Sequence, residues 1–156
     1  MSRTNTKPTR ILLVSSGGGH WVQLLRLRPA FAGHRVAYVT VLDSYRTDVD
    51  EGVPFYVIRD ATRWNKIGLV IMCLQLLLII LRERPKLIVS TGAAPGYFAL
   101  RLGKLIGAKT IWLDSIANVE QISMTGTLVQ KYADLWLTQW AHLAKENGPT
   151  HLGAVL

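Results

Sequence analysis

Two stretches of this chain share one layout. The apolar run RILLVSS opens into GGGH at residues 17–20, and the run KLIVS opens into TGAAPG at residues 91–96. An apolar run closed by glycine is the pattern of a strand covered on both faces, as in a parallel sheet. Each loop leads into a segment with apolar residues at helical spacing. The first is HWVQLLRLRPAF, with Val22 and Leu25 at that spacing, and the second is YFALRLGKLIG. Strand, glycine turn and helix, used twice, commit the chain to βα units with right-handed crossovers.

The remaining segments extend the alternation. HRVAYVTVL (34–42), PFYVIRD (54–60) and AKTIWLDS (108–115) are β-branched and apolar enough for strands. The polar DSYRTDVDEG separates the first two, a helix is expected around 125–133, and DLWLTQW and THLGAVL read as short strands. The predicted architecture is α/β: one Rossmann-like domain over 1–156, a doubly wound parallel sheet with ligands at the C-terminal ends of its strands. Both glycine loops fall at such ends.

Composition narrows the class. A 49% hydrophobic fraction excludes a disordered chain. Cys73 is the single cysteine, so a disulfide framework and a thiolate zinc site are excluded, and within its apolar run the thiol is expected to pack as a small hydrophobe. The four histidines are scattered, none paired at i, i+4, so no metal site is expected. The basic start, MSRTNTKPTR, runs straight into a strand without the apolar core and cleavage site of a signal peptide, and a cytoplasmic location is the expectation. Residues 1–104 hold 15 of the 18 Lys and Arg but 6 of the 10 Asp and Glu, so an anionic partner should meet this part. Nucleic acid is a poor fit, because no aromatic–basic interleaving, zinc spacing or helix-turn-helix pattern accompanies the charge.

Residues 67–81, IGLVIMCLQLLLIIL, are apolar or glycine except for Gln75. Fifteen such residues fall short of the roughly 20 that span a bilayer. Cations stand at both ends, Arg63 and Lys66 before and Arg82, Arg84 and Lys86 after. Two readings fit: a helix lying in the membrane interface with Trp64 as anchor and the cations near lipid phosphates, or a buried core helix.

A strand that turns through glycines into a helix brings backbone N–H groups and a partial positive charge toward an anion, so phosphate or diphosphate is the natural guest. GGGHWV lacks the third glycine of the dinucleotide fingerprint, and no Gly-Lys-Ser/Thr is present. The loop is thus either a phosphate floor or turn chemistry alone, and His20 either a general base or a hydrogen-bonded loop residue.

Taken in order, SSGGGH, the Arg63–Trp64 segment before the apolar helix, RPKLIVSTGAAPG, WLDSIANVEQISMTG and KYADLWLTQW resemble the acceptor-side subunit of two-part inverting glycosyltransferases. That group includes the bacterial PssD-type exopolysaccharide proteins and the membrane-recruiting subunit of the eukaryotic enzyme that adds the second N-acetylglucosamine to the dolichol-linked oligosaccharide. It is similar to the N-terminal half of the murein N-acetylglucosaminyltransferase, a GT-B enzyme of two Rossmann-like domains. The resemblance implies an acceptor-binding, membrane-associated subunit at the cytoplasmic face of the plasma membrane. It also implies a separate PssE-like partner that binds the UDP-sugar donor, a polyprenyl-diphosphate-linked acceptor, and no cofactor. A non-catalytic membrane scaffold for that partner is the alternative.

By the same resemblance, Gly17, Gly18, Gly19 and His20 contact diphosphate, with His20 near the reaction centre. Ser90, Thr91, Gly92, Ala93 and Gly96 form a second cradle. Asp114, Ser115 and Asn118 lie where relatives carry a glutamate followed by serine, and Asp114 stands beside His20 as the alternative base, or else caps a helix and orients residues 116–124. Arg63, Trp64, Lys66, Arg82 and Arg84 are the expected membrane contacts. Glu120 and Gln121 fit sugar contacts or plain loop polarity. Gln139 and Trp140 are expected at the edge toward the partner, and the segment after Pro149 either docks that partner or completes the sheet.

Overall fold

A computed structural model describes residues 7–155; Met1–Thr6, the start of the basic N-terminal segment, and Leu156 lie outside the described residues. Seven strands form one sheet: β1 (Arg10–Val14), β2 (Arg35–Thr40), β3 (Phe55–Val57), β4 (Leu87–Ser90), β5 (Lys109–Leu113), β6 (Leu135–Thr138) and β7 (Thr150–His151). The order is β3-β2-β1-β4-β5-β6-β7, and every pairing is parallel. This is the expected doubly wound Rossmann-like α/β sheet, with a seventh strand added at the β6 edge. Four helices connect it: α1 (Gly19–Arg26), α2 (Lys66–Glu83), α3 (Ala93–Leu105) and α4 (Met124–Val129).

The two-residue period of β1 divides the core. Leu12 and Val14 pack with Met72, Leu76 and Ile80 of α2 and Leu100 of α3, while Ile11 and Leu13 pack with Trp21 and Leu24 of α1 and with Tyr38. Both faces of the strand are therefore buried, which is why its residues are apolar without alternation. On α1, the helix expected from this spacing, Trp21 and Leu24 make the core contacts, Leu25 packs against them and Val22 is exposed. Trp21 is held by a stack on Tyr45, rings 5.0 Å apart, and by its indole N–H donated to Asp48 at 2.8 Å. Tertiary partners thus decide that Trp21 rather than Val22 faces inward.

The apolar run 67–81 lies within α2, about 27 Å long at 1.5 Å per residue. The helix starts on an Asn65 side-chain cap and ends at Arg84, whose left-handed φ of 46° closes it. The helix has two apolar faces. Met72, Leu76, Ile79 and Ile80 enter the core, while Ile67, Val70, Leu74, Leu78 and Leu81 form an exposed apolar stripe. Cys73 is half-buried, and burial pushes its thiol up, so it packs as a neutral small group.

Helix α3 approaches β4 through glycines. A Cβ at Gly103 would meet the Ile88 side chain at 2.4 Å, and one at Gly96 would fall 1.8 Å from the Ser90 hydroxyl and 3.1 Å from the Trp112 ring. Ser90 and Trp112 are fully buried and have nowhere to go. Gly96→Ala should therefore destabilise the fold: overpacking costs about 3 kcal/mol against a helix-propensity gain of about 1 kcal/mol. Urea titration should show the midpoint falling by the net loss with an unchanged slope.

Candidate functional site

The candidate site lies where β1 and β4 run side by side and the chain departs to opposite faces of the sheet. That is the switch point at which open α/β sheets bind ligands. Gly18 sits at φ 65° and Gly92 at φ 143°, backbone positions suited to glycine, and both loops turn there into α1 and α3. Ala93 follows at φ 62°, a left-handed conformation that costs a non-glycine residue energy.

The two loops hold each other. Thr91 donates its hydroxyl to the His20 carbonyl at 2.6 Å, and His20 Nδ1 lies 2.9 Å from the Thr91 carbonyl. A carbonyl oxygen only accepts, so Nδ1 carries a proton, and in that tautomer Nε2 holds the lone pair. No described residue bonds Nε2. A Cβ on Gly92 would come within 2.4 Å of His20 Nδ1, so the missing side chain is what lets the imidazole reach Thr91.

Asp114 stands differently. It is 2% exposed and accepts four hydrogen bonds: from the Trp112 indole, the Asn118 amide, the Ser123 backbone N–H and the Ser123 hydroxyl. Ser123 in turn caps α4 through Gly126 N–H. The carboxylate folds residues 115–123 back onto the sheet, the orienting role that stood as the alternative to a base. Ser115, Ser90 and Thr91 are buried, and their hydroxyls hold the loops together. Ser115 Oγ is tied to Gln23 and Ala117 N–H, Ser90 Oγ receives Gly92 N–H, and Thr91 is spent on His20. Asn118 is tied to Asp114. Gly17, Gly18 and Gly19 line the open mouth, the latter two exposed.

Gln23, which the sequence reading passed over, joins these parts. Its buried amide donates to Gly19 O and Ser115 Oγ and accepts from Ile116 N–H and the Gln139 amide. Gln139 is itself buried and takes Val155 N–H, while Arg26 binds Val155 O. Gln139 is therefore corrected from an edge residue to an internal tie, and Trp140 donates to Ile116 O. A single polar residue in an otherwise apolar helical stripe was the available signal for Gln23. The segment after Pro149 completes the sheet with Thr150–His151 and then reaches back to α1.

Arg63, Trp64, Lys66, Arg82 and Arg84 are all exposed at the two ends of the α2 stripe, Trp64 to 81%. Arg63 lies over the Trp64 ring at 4.6 Å and donates to Met124 Sδ at 3.6 Å. The N-terminal end of α2 is therefore beside the loop that Asp114 pins. Among the described residues, no helix is long and apolar enough to cross a membrane.

Residues 60–155 match the family described as oligosaccharide biosynthesis protein Alg14 like. The chain belongs to this Alg14-like family. A UDP-N-acetylglucosamine transferase subunit ALG14 of Yarrowia lipolytica is 31% identical over 71 residues, which are 42% of this chain and 33% of that protein. MurG of Acinetobacter baumannii superposes with a TM-score of 0.74 at 12% identity, covering 92% of this chain and 45% of its own. A UDP-N-acetylglucosamine 2-epimerase of Rickettsia bellii does so at 0.70 and 12%, covering 95% and 45%. The chain thus spans less than half of each protein it matches. The two superpositions establish the fold shared with the N-terminal part of GT-B enzymes.

The two candidate bases differ in their surroundings. Asp114→Asn replaces an acceptor with an N–H₂ facing donors, and should cost about 2–3 kcal/mol of stability and expose residues 115–123 to protease. His20→Ala should leave the thermal midpoint within a few degrees of wild type.

Proposed function

We propose that this Alg14-like chain is the acceptor-binding, membrane-associated subunit of a two-part inverting glycosyltransferase. It acts with a PssE-like partner that binds the donor, and adds a sugar from a UDP-sugar to a polyprenyl-diphosphate-linked saccharide in exopolysaccharide or capsule assembly. The observation that carries this reading is the bracketed His20: an imidazole with Nδ1 tied to Thr91 and Nε2 open, at the mouth of a glycine loop that opens a helix. The Yarrowia relative, named as a transferase subunit, supports a role within a complex.

In this reading the diphosphate rests against the glycine-loop amides and the positive end of α1. The acceptor hydroxyl lies against His20 Nε2. As its oxygen forms the new bond to the anomeric carbon from the face opposite UDP, its proton passes to Nε2, the bond from that carbon to the UDP oxygen breaks, and UDP leaves with the electron pair. The configuration inverts. The imidazolium formed keeps its Nδ1–H bond to the Thr91 carbonyl, which steadies the new charge.

The α2 stripe supports a peripheral or monotopic seat on an anionic leaflet, at the cytoplasmic face of the plasma membrane in this reading. Five exposed apolar residues lie between cations at both ends, the arrangement of a helix lying in the interface. The Arg63–Met124 contact brings that seat next to the loop behind the site, a short path for a lipid-linked substrate.

Replacing Leu74 and Leu78 together with Glu, both exposed, should leave the fold intact and reduce co-sedimentation with phosphatidylglycerol vesicles at least tenfold. Transfer from UDP-sugars to lipid-linked acceptor in membrane extract should require the donor-binding partner. It should fall at least about 100-fold with His20→Ala while the complex still assembles. Turnover that survives His20→Ala favours the non-catalytic scaffold instead.

A further inference from the structure

The mouth of the first glycine loop is closed on one side by a residue outside the two loops. Tyr45 lies in the short 3-10 turn Asp43–Asp48 that follows β2, and its hydroxyl oxygen accepts Gly18 N–H at 2.8 Å. Its position is over-determined. The ring stacks on the buried Trp21 within 6° of parallel, the Trp21 indole N–H is donated to Asp48 of the same turn, and the ring oxygen is 3.4 Å from where a Cβ of Gly17 would stand.

A phenol has one proton to donate. With an oxygen lone pair taken by Gly18 N–H, that O–H points away from the backbone, and no described residue accepts it. Gly18 and Gly19 are exposed, so the direction left to the proton is the open mouth of the loop. We infer that Tyr45 is a substrate-binding residue: it converts the Gly18 N–H into an outward O–H donor that binds an oxygen of the diphosphate held at the glycine loop. This inference rests on the reading of that loop as a phosphate site. The chain of two hydrogen bonds extends the loop's reach by one hydroxyl, and the bond to an anionic oxygen is the stronger, charge-assisted kind.

A purely structural Tyr45 makes the opposite prediction. If the hydroxyl only plugs the Gly18 amide, removing it frees that amide for the anion, and binding holds or tightens. Tyr45→Phe separates the two, since it keeps the ring on Trp21 and deletes only the oxygen. The full chain is titrated by calorimetry with inorganic diphosphate, with UDP, and with polyprenyl diphosphate in zwitterionic vesicles. Wild type should bind at least one of these, and Tyr45→Phe should weaken that binding about tenfold with the thermal midpoint little changed. 3-Fluorotyrosine at position 45, a stronger donor of nearly the same size, should tighten it.

The probe that responds identifies the source of the phosphate. Loss confined to the polyprenyl and inorganic diphosphates assigns Tyr45 to the acceptor, and loss confined to UDP and inorganic diphosphate assigns it to the leaving nucleotide. Equal or tighter binding by Tyr45→Phe overturns the role of Tyr45 and leaves the phosphate site standing. Absence of binding by wild type to all three probes overturns both.

Discussion

The pair of hydrogen bonds between His20 and Thr91 is the contact on which the candidate site depends. Strands β1 and β4 bring the two loops side by side, but adjacency alone leaves an imidazole free to rotate. The Thr91 hydroxyl on the His20 carbonyl fixes the backbone, and the Thr91 carbonyl on Nδ1 fixes the ring and its tautomer. The ring bond requires Gly92 to lack a side chain. The left-handed Ala93 follows immediately, so the backbone strain in this loop sits next to the contact that orients the only histidine at the switch point among the described residues.

A second layer of buried polar groups holds the surroundings in place. Asp114 carries four donors and ties residues 115–123 to β5, while Gln23 and Gln139 link α1, that loop and the C-terminal segment through side-chain amides. Such a network is costly unless every member is satisfied, and here each donor of the two amides named above meets an acceptor. Its effect is to make the position of α1, and so of His20, depend on segments more than 90 residues away in the chain. These hydrogen bonds hold the loop where the geometry of the site needs it.

Helix α2 joins two jobs on opposite faces. Its inner face supplies Met72, Leu76 and Ile80 to the core against β1, and its outer face presents an apolar stripe to the outside. Because β3 delivers the chain to α2 at the end of the sheet where the glycine loops lie, Arg63 and Trp64 fall on the side of the site and Arg82 and Arg84 on the far side. An interface that received the stripe would therefore receive the site at a set height and tilt.

Strand positions, the parallel doubly wound order and the two glycine loops were legible in the residues, because apolar runs, β-branching and glycine turns act over a few neighbours along the chain. The resemblance of ordered motifs also reached the group that includes the Alg14-like family. Other features depended on distant partners. Trp21 rather than Val22 turned inward because Tyr45 and Asp48 receive it, and Asp114 became a structural hub because Ser123, Asn118 and Trp112 converge on it. The apolar helix proved two-faced because the sheet covers only one side. Local pattern records what a segment prefers, whereas burial, tautomer and the direction of a hydroxyl are decided by what the fold sets against it. By itself the sequence determined that glycine loops would end two parallel strands. Only the tertiary structure decided that they would clasp each other through His20 and Thr91, since that contact joins residues 71 positions apart.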